Sequence, residues 1–209
     1  CFEEILEKEN GIDVVINCAG FGLAGSVEDT STEEAKSQFE TNFFGVIRVC
    51  RAALPGMRER GSGLIVNISS LGGLISAPFH GVYCASKFAV EGVTEALRME
   101  VARFGIKVVL VEPGDFKTKF TGNRKKTEAA QTNPAYQEQF ENSLKAMEQA
   151  EQRGPEPTIL ASLIRKIIET PNPKLRYVAA PGMQPLAPLL KRILPWSVCE
   201  KIFMKHFGM

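Results

Sequence analysis

The 209-residue chain is 44% hydrophobic and 23% charged, with a formal net charge of +1. That length supports one domain with a sizeable core, and the composition excludes a disordered chain. A near-neutral balance gives no footprint for a nucleic-acid partner. Cys1, Cys18, Cys50, Cys84 and Cys199 are odd in number and widely spaced, with no CxxC pair. Zinc or any other metal is therefore not expected, and a reduced compartment is. With no secretory leader and no uninterrupted membrane-spanning run, the expected location is cytoplasmic.

In chain order, the sequence opens in mid-element, with Phe2, Ile5 and Leu6 on one helical face and no initiator Met. Four β-rich runs follow, at 13–17, 64–68, 107–111 and 176–179. The first three are almost continuous Val, Ile and Leu, the pattern of parallel strands buried on both faces. Between them the spacing predicts helices over 32–60, opened by Ser31-Thr32-Glu33-Glu34 and closed by Gly61, and over 82–104, closed by Gly105. Alternating strands and helices imply right-handed crossovers and an α/β fold with a doubly wound parallel sheet.

The character changes over 115–157, where Lys117, Lys119, Arg124, Lys125 and Lys126 read as a solvated basic loop ahead of a helix over 136–152. Another helix over 158–169 leads to the last strand. The tail, 182–209, is amphipathic, with Leu186, Leu189, Leu190, Ile193, Trp196, Ile202 and Phe203 among Lys191, Arg192, Lys201 and Lys205. Packing against the sheet, a lid or a partner subunit in a homo-oligomer is the expectation for it, ahead of membrane attachment. All of this reads as one domain over 1–209.

Tyr83-Cys84-Ala85-Ser86-Lys87 sets a phenol and an ammonium at i and i+4, on one helix face. A nearby cation favours an ionised Tyr, so the pair can make the phenol a usable acid or base. Lowering its pKa by ~3 units takes about 4 kcal/mol of differential stabilisation. Ser70 lies thirteen positions before Tyr83, at the end of a strand run, where its hydroxyl can bond the oxygen that Tyr83 protonates. Ser70, Tyr83 and Lys87 at this spacing resemble the catalytic core of the short-chain dehydrogenase/reductase family.

The resemblance implies an NAD- or NADP-dependent oxidoreductase on a Rossmann-like fold, acting on a small-molecule carbonyl or alcohol. Within it, Asn17-Cys18-Ala19-Gly20 matches a motif lining the cofactor cleft, with Cys18 in place of an Asn, so Asn17, Ala19 and Gly20 are expected near the cofactor's ribose. Asn42, inside a helix that it suits poorly, corresponds to an Asn whose local helix distortion holds a relay water. Tyr83 and Lys87 are expected to touch the cofactor as well, and Pro113, Gly114 and Thr118 to meet its nicotinamide end. His80 is expected at a pocket edge, outside the chemistry. The stretch from Ser70 through Phe88 looks like members acting on steroids and retinoids, and Phe116, Phe120 and the tail are placed to close a lipophilic pocket.

The family fold begins with a strand and a Gly-rich turn, and no TGxxxGxG occurs within these residues. Gly20-Phe21-Gly22-Leu23-Ala24-Gly25 fits a loose GxGxxG but follows the wrong strand and reads as a loop. The expectation is thus an N-terminally incomplete sheet of about four strands. Two readings stand: an oxidoreductase, or a truncated, catalytically inactive chain acting as an interaction module.

Overall fold

The computed structural model describes residues 2–9 and 11–209. Helix α1 (Phe2–Glu9) precedes β1 (Val14–Asn17), β3 spans Gly63–Ile68, β4 spans Ile106–Pro113 and β6 spans Arg176–Ala179. These four strands form one parallel sheet in the order β1-β3-β4-β6. Val15 lies opposite Ile65, Ile65 opposite Val108, and Leu110 opposite Arg176. Each of the four strand runs read from sequence lies in this sheet.

Helices cover both faces. On one, α3 (Gly45–Arg60) and α4 (Gly81–Val101) bury Val46, Cys50, Met57 and Val90 against Val15, Ile65, Val108 and Leu110. On the other, Ile167 of α7 (Thr158–Ile168) packs with Leu64, Val66, Val109 and Val111. Alternate strand residues therefore face opposite helical layers, which is why β3 and β4 carry no polar face. Along the open side of β1 runs a groove of about 500 Å³ lined by Ile5, Val14, Ile16, Val46 and Val49.

The helix expected over 32–60 is three pieces. Helix α2 (Thr32–Phe39) starts at a capping box in which Ser31 and Glu34 serve each other's backbone N–H groups. A π turn over Glu40–Phe44 then precedes α3, which ends at Gly61 with φ 68. The second long helix, α4, closes through a short 3₁₀ turn at Gly105, φ 72. The loose glycine motif leads into β2 (Leu23–Ala24), not a helix, and β2 pairs with β5 (Lys125–Lys126). That small sheet ties α5 (Phe120–Asn123) and α6 (Gln137–Arg153) over the end of β1.

The tail folds into α8 (Ala187–Ile193) and α9 (Trp196–His206). Lys191 Nζ donates to the Leu74 carbonyl at 2.9 Å, and Gln184 bonds both the N–H and the carboxylate of Asp115, so the tail is fastened beside the loops after β3 and β4. Among the described residues no helix is long and apolar enough to cross a membrane.

A buried polar chain stitches the sheet to α4. Asn17 Nδ2 donates to Asn67 Oδ1 at 2.8 Å, Asn67 Nδ2 to Thr94 Oγ1 at 2.9 Å, and Thr94 Oγ1 to the Val90 carbonyl at 2.6 Å. Asn67 is central and almost fully buried. Asn67→Leu removes one partner each from half-buried Asn17 and buried Thr94, and we expect a loss of about 1–3 kcal/mol, checked by urea unfolding.

Candidate active site

The carboxyl ends of β1, β3 and β4 open on one side of the sheet, where α/β folds place their ligands. The strand-to-helix turn after β3 sets the first group. Ser70 is extended (φ −169, ψ 161), and its Oγ accepts from the Gly72 N–H at 3.0 Å. A Cβ on Gly72 would sit 3.2 Å from Tyr83 Cε1 and 3.4 Å from Ser70 Oγ, so the two hydroxyl-bearing side chains converge over a residue with no side chain. Ser69, the other candidate by position, is buried, and its hydroxyl is unpaired among the described residues.

Lys87, one turn beyond Tyr83, is buried, and its Nζ donates to the Ile68 carbonyl at 2.9 Å. The ammonium lies 5.9 Å from the centre of the Tyr83 ring. Burial pulls the Lys87 pKa down to about 8, opposed by Cys18 and Glu91. Burial pushes Tyr83 up to about 12, opposed first by the Ser70 hydroxyl facing it. Desolvation is the largest effect of the protein's own groups on the phenol, and the Lys87 ammonium is turned to a strand-end carbonyl. The phenol stays protonated at neutral pH.

Asn42 sits in the π turn, also buried. Its Oδ1 accepts from the Phe21 N–H at 3.1 Å, while Nδ2 donates to the Phe21 carbonyl at 3.1 Å and to Ser86 Oγ at 3.2 Å. The amide clamps the loop after β1 to the first turns of α4. Gly20 lies in that loop, where a Cβ would be 3.1 Å from Asn42 Oδ1 and 3.8 Å from Lys87 Nζ. Ala19 and Gly20 are exposed at this edge, whereas the Asn17 side chain turns back to Asn67 and Cys50. At the end of β4, a Cβ on Gly114 would lie 2.2 Å from Gln184 Oε1, so only glycine follows Pro113 without displacing the tail. Thr118 is exposed, and its Oγ1 accepts from the Phe120 N–H at 3.1 Å, at the start of α5. The structure thus brings Asn42, Ser70, Tyr83 and Lys87 together with Gly20; Asn17 supports from behind, and Thr118 lies on the rim.

Two features were not legible in sequence. His80, expected at a pocket edge, is buried at the start of α4, its ring 6.2 Å from Tyr83 and edge-on to it. It is turned inward after Phe79, whose φ of 58 is rare for a bulky residue and is held by packing on Phe140 and Tyr136. Arg124, assigned above to a solvated basic loop, has a side chain only 3% exposed and is ion-paired with Glu151. Pairing of β5 with β2 fixes its backbone and directs the guanidinium inward, a long-range effect that a run of basic residues does not announce.

The Lys87 shift has a sign that can be checked. Its folded pKa lies below the usual lysine value, so the cost of its buried charge is fully present below about pH 8 and is relieved as pH rises toward ~10.4. In NMR titration of labelled lysines, one resonance, absent in Lys87→Met, should move with a midpoint near pH 8.

Comparison with known proteins bears on the family and the fold. A profile of the short chain dehydrogenase family matches residues 1–129. A 3-ketodihydrosphingosine reductase of Bacteroides thetaiotaomicron is 46% identical over 198 residues, spanning 95% of this chain and 74% of that protein. The crystal structure of a short-chain dehydrogenase from Streptomyces avermitilis superposes with a TM-score of 0.79 at 37% identity, over 96% of this chain and 71% of that one. ElxO, solved with NADP bound, gives a TM-score of 0.65 at 28% identity, covering 85% of this chain and 68% of that one. The residues that converge at the end of the sheet are thus set in a chain that belongs to the short chain dehydrogenase family.

Proposed function

We propose that the protein is an NAD- or NADP-dependent oxidoreductase acting on a carbonyl or alcohol of lipophilic character. The observation that carries this reading is the convergence of Ser70, Tyr83 and Lys87 beside the exposed Ala19-Gly20 edge. That edge fits a flat cofactor: a bare backbone at Gly20 lies against Asn42 and Lys87, leaving room where a side chain would intrude. Ala19, Gly20, Tyr83, Lys87, Pro113, Gly114 and Thr118 would hold the nicotinamide half, with Asn17 fixing the strand end beneath it. When bound, the nicotinamide gives or takes the hydride.

The chain's own residues govern the proton and the oxygen. The Ser70 hydroxyl orients the substrate oxygen. Tyr83, with its pKa pushed up to about 12, holds its proton at neutral pH and is set to give it to that oxygen, which favours reduction. Lys87, near pKa 8, resupplies the phenol. Asn42 holds open the route outward: the π turn displaces the helical hydrogen-bond ladder beside Ser86, where a water can sit. The lipophilic character rests on the Phe120 ring, 5.7 Å from that of Tyr83, and on buried Leu71 beside Gly114. The Bacteroides relative, named for a keto lipid, points the same way.

In the full-length protein, Tyr83→Phe should lower kcat for ketone reduction by about 10²–10⁴-fold, with dinucleotide binding, read from reduced-nicotinamide fluorescence, preserved. Turnover close to wild type would remove Tyr83 from proton transfer. Residues 1–209 contain no Gly-rich phosphate-cradling turn, so this stretch by itself should bind NADP weakly. Micromolar affinity by calorimetry would contradict that.

A further inference from the structure

One cluster of charge lies outside the catalytic groups but on the same helix. Three carboxylates meet the guanidinium of Arg176. Its Nη1 donates to Glu91 Oε2 and, at 2.6 Å, to Glu112 Oε1, while Nη2 donates to Glu95. Strand geometry brings them together. Val108 and Leu110 pack under α4, so Glu112, two residues further along β4, faces the same way, and Arg176 lies opposite Leu110 on β6. Glu91 and Glu95 stand on successive turns of α4.

The charges in this cluster do not balance. The Glu95 side chain is 49% exposed and screened by water, but those of Glu91 and Glu112 are 7% and 0% exposed. Their second oxygens, Glu91 Oε1 and Glu112 Oε2, are buried with no hydrogen-bond partner among the described residues. Two ionised carboxylates gathered on one N–H group repel, and a buried acceptor left unpaired is costly. The neighbouring cations on α4 are engaged elsewhere. Lys87, one turn before Glu91, donates to the Ile68 carbonyl, and Arg98 donates to the carbonyls of Val108 and Pro173. Ser69 also has an unpaired hydroxyl, and a Cβ on Gly73 would lie 2.7 Å from it and 3.0 Å from Glu91 Cγ. That hydroxyl can serve one of the two oxygens but not both, and it brings no charge.

A single proton answers both problems. On either carboxyl it removes one negative charge, and its O–H donates to the other carboxylate, so both orphan oxygens are bonded. The Glu112 carboxyl is held above the ordinary carboxylate range by burial, against the Arg176 hydrogen bond, with the Glu91 charge and a hydrogen bond to Glu91 raising it further.

We propose that Glu91 and Glu112 share one proton, the O–H of one carboxyl donating to the carboxylate of the other, and that with Arg176 they form a pH-sensitive clasp joining α4 to the end of β4 and the start of β6. The clasp holds the helix that carries Tyr83 and Lys87 against the strand that leads into Pro113-Gly114. An acid held above its unfolded value brings stability that is complete below the ordinary carboxylate range and lost as pH rises through the folded value. The clasp therefore loosens on the alkaline side, by losing a proton.

The test uses full-length protein at about pH 6, where an exposed glutamate, with a pKa of ~4.3, is ionised. Infrared difference spectra should show the C=O band of a protonated carboxyl in wild type, lost in Glu112→Gln and equally in Glu91→Gln, because either amide donates permanently to the carboxylate that remains. No such band, or a band removed by only one of the substitutions, overturns the shared proton. Urea midpoints across pH give a second readout. Glu112→Gln should match wild type in mild acid and overtake it as pH rises, since the amide keeps the donor that wild type loses. A simple ion pair gives the opposite slope, with the variant falling behind as pH rises, and that result overturns the clasp. If Glu112→Gln does not fold, Glu91→Gln is read in the same way in the urea series.

Discussion

The site depends on one contact, the hydrogen bond from the buried Lys87 ammonium to the carbonyl of Ile68, the last residue of β3. An unpaired ammonium in that position would be expensive, so the bond locks the first turns of α4 to a strand end at one distance. Ser70 follows two residues after the carbonyl and Tyr83 precedes the ammonium by one helical turn. Their approach is therefore fixed by short covalent paths on either side of a single bond. The same burial sets the electrostatics: it lowers Lys87, raises Tyr83 and makes the pair a store of protons at neutral pH.

Everything around this contact holds either the strand end or the helix start. The Asn17–Asn67–Thr94 chain fixes β1 and β3 to α4 from behind. Asn42 fixes the loop after β1 to Ser86 from the front, and the π turn is what carries its amide to the Phe21 backbone. Helices α5 and α6 are held independently, through the β2–β5 pairing and the ion pair of Arg124 with Glu151.

The sheet was legible in sequence because strands buried on both faces must be almost continuously apolar, and Val14, Ile65 and Val109 stand in such runs. The proton-handling residues were legible because their spacing is local: Ser70, Tyr83 and Lys87 lie within one strand–turn–helix unit. What escaped was set by distant contacts. The break at Glu40–Phe44 lies in a stretch with continuous helical periodicity, so only the resemblance at Asn42 implied a distortion there; the bonding of Asn42 to a loop twenty-one residues away goes with it. Arg124 and Lys125 are adjacent and alike in charge, yet the Arg124 side chain is buried on Glu151 and Lys125 is exposed.

The account's central claim is that Tyr83 delivers a proton drawn from Lys87. Its most direct measurement is the pH dependence of carbonyl reduction, in the first turnover and in those after it, by full-length protein saturated with reduced cofactor. Because Tyr83 already holds one proton, the first turnover should be level through this range, while the rate of the turnovers that follow should be level below neutrality and fall as pH rises through about 8, where Lys87 loses its proton. A rate of later turnovers that stays level well above that pH, with lysine titration confirming that Lys87 has been deprotonated, would contradict it.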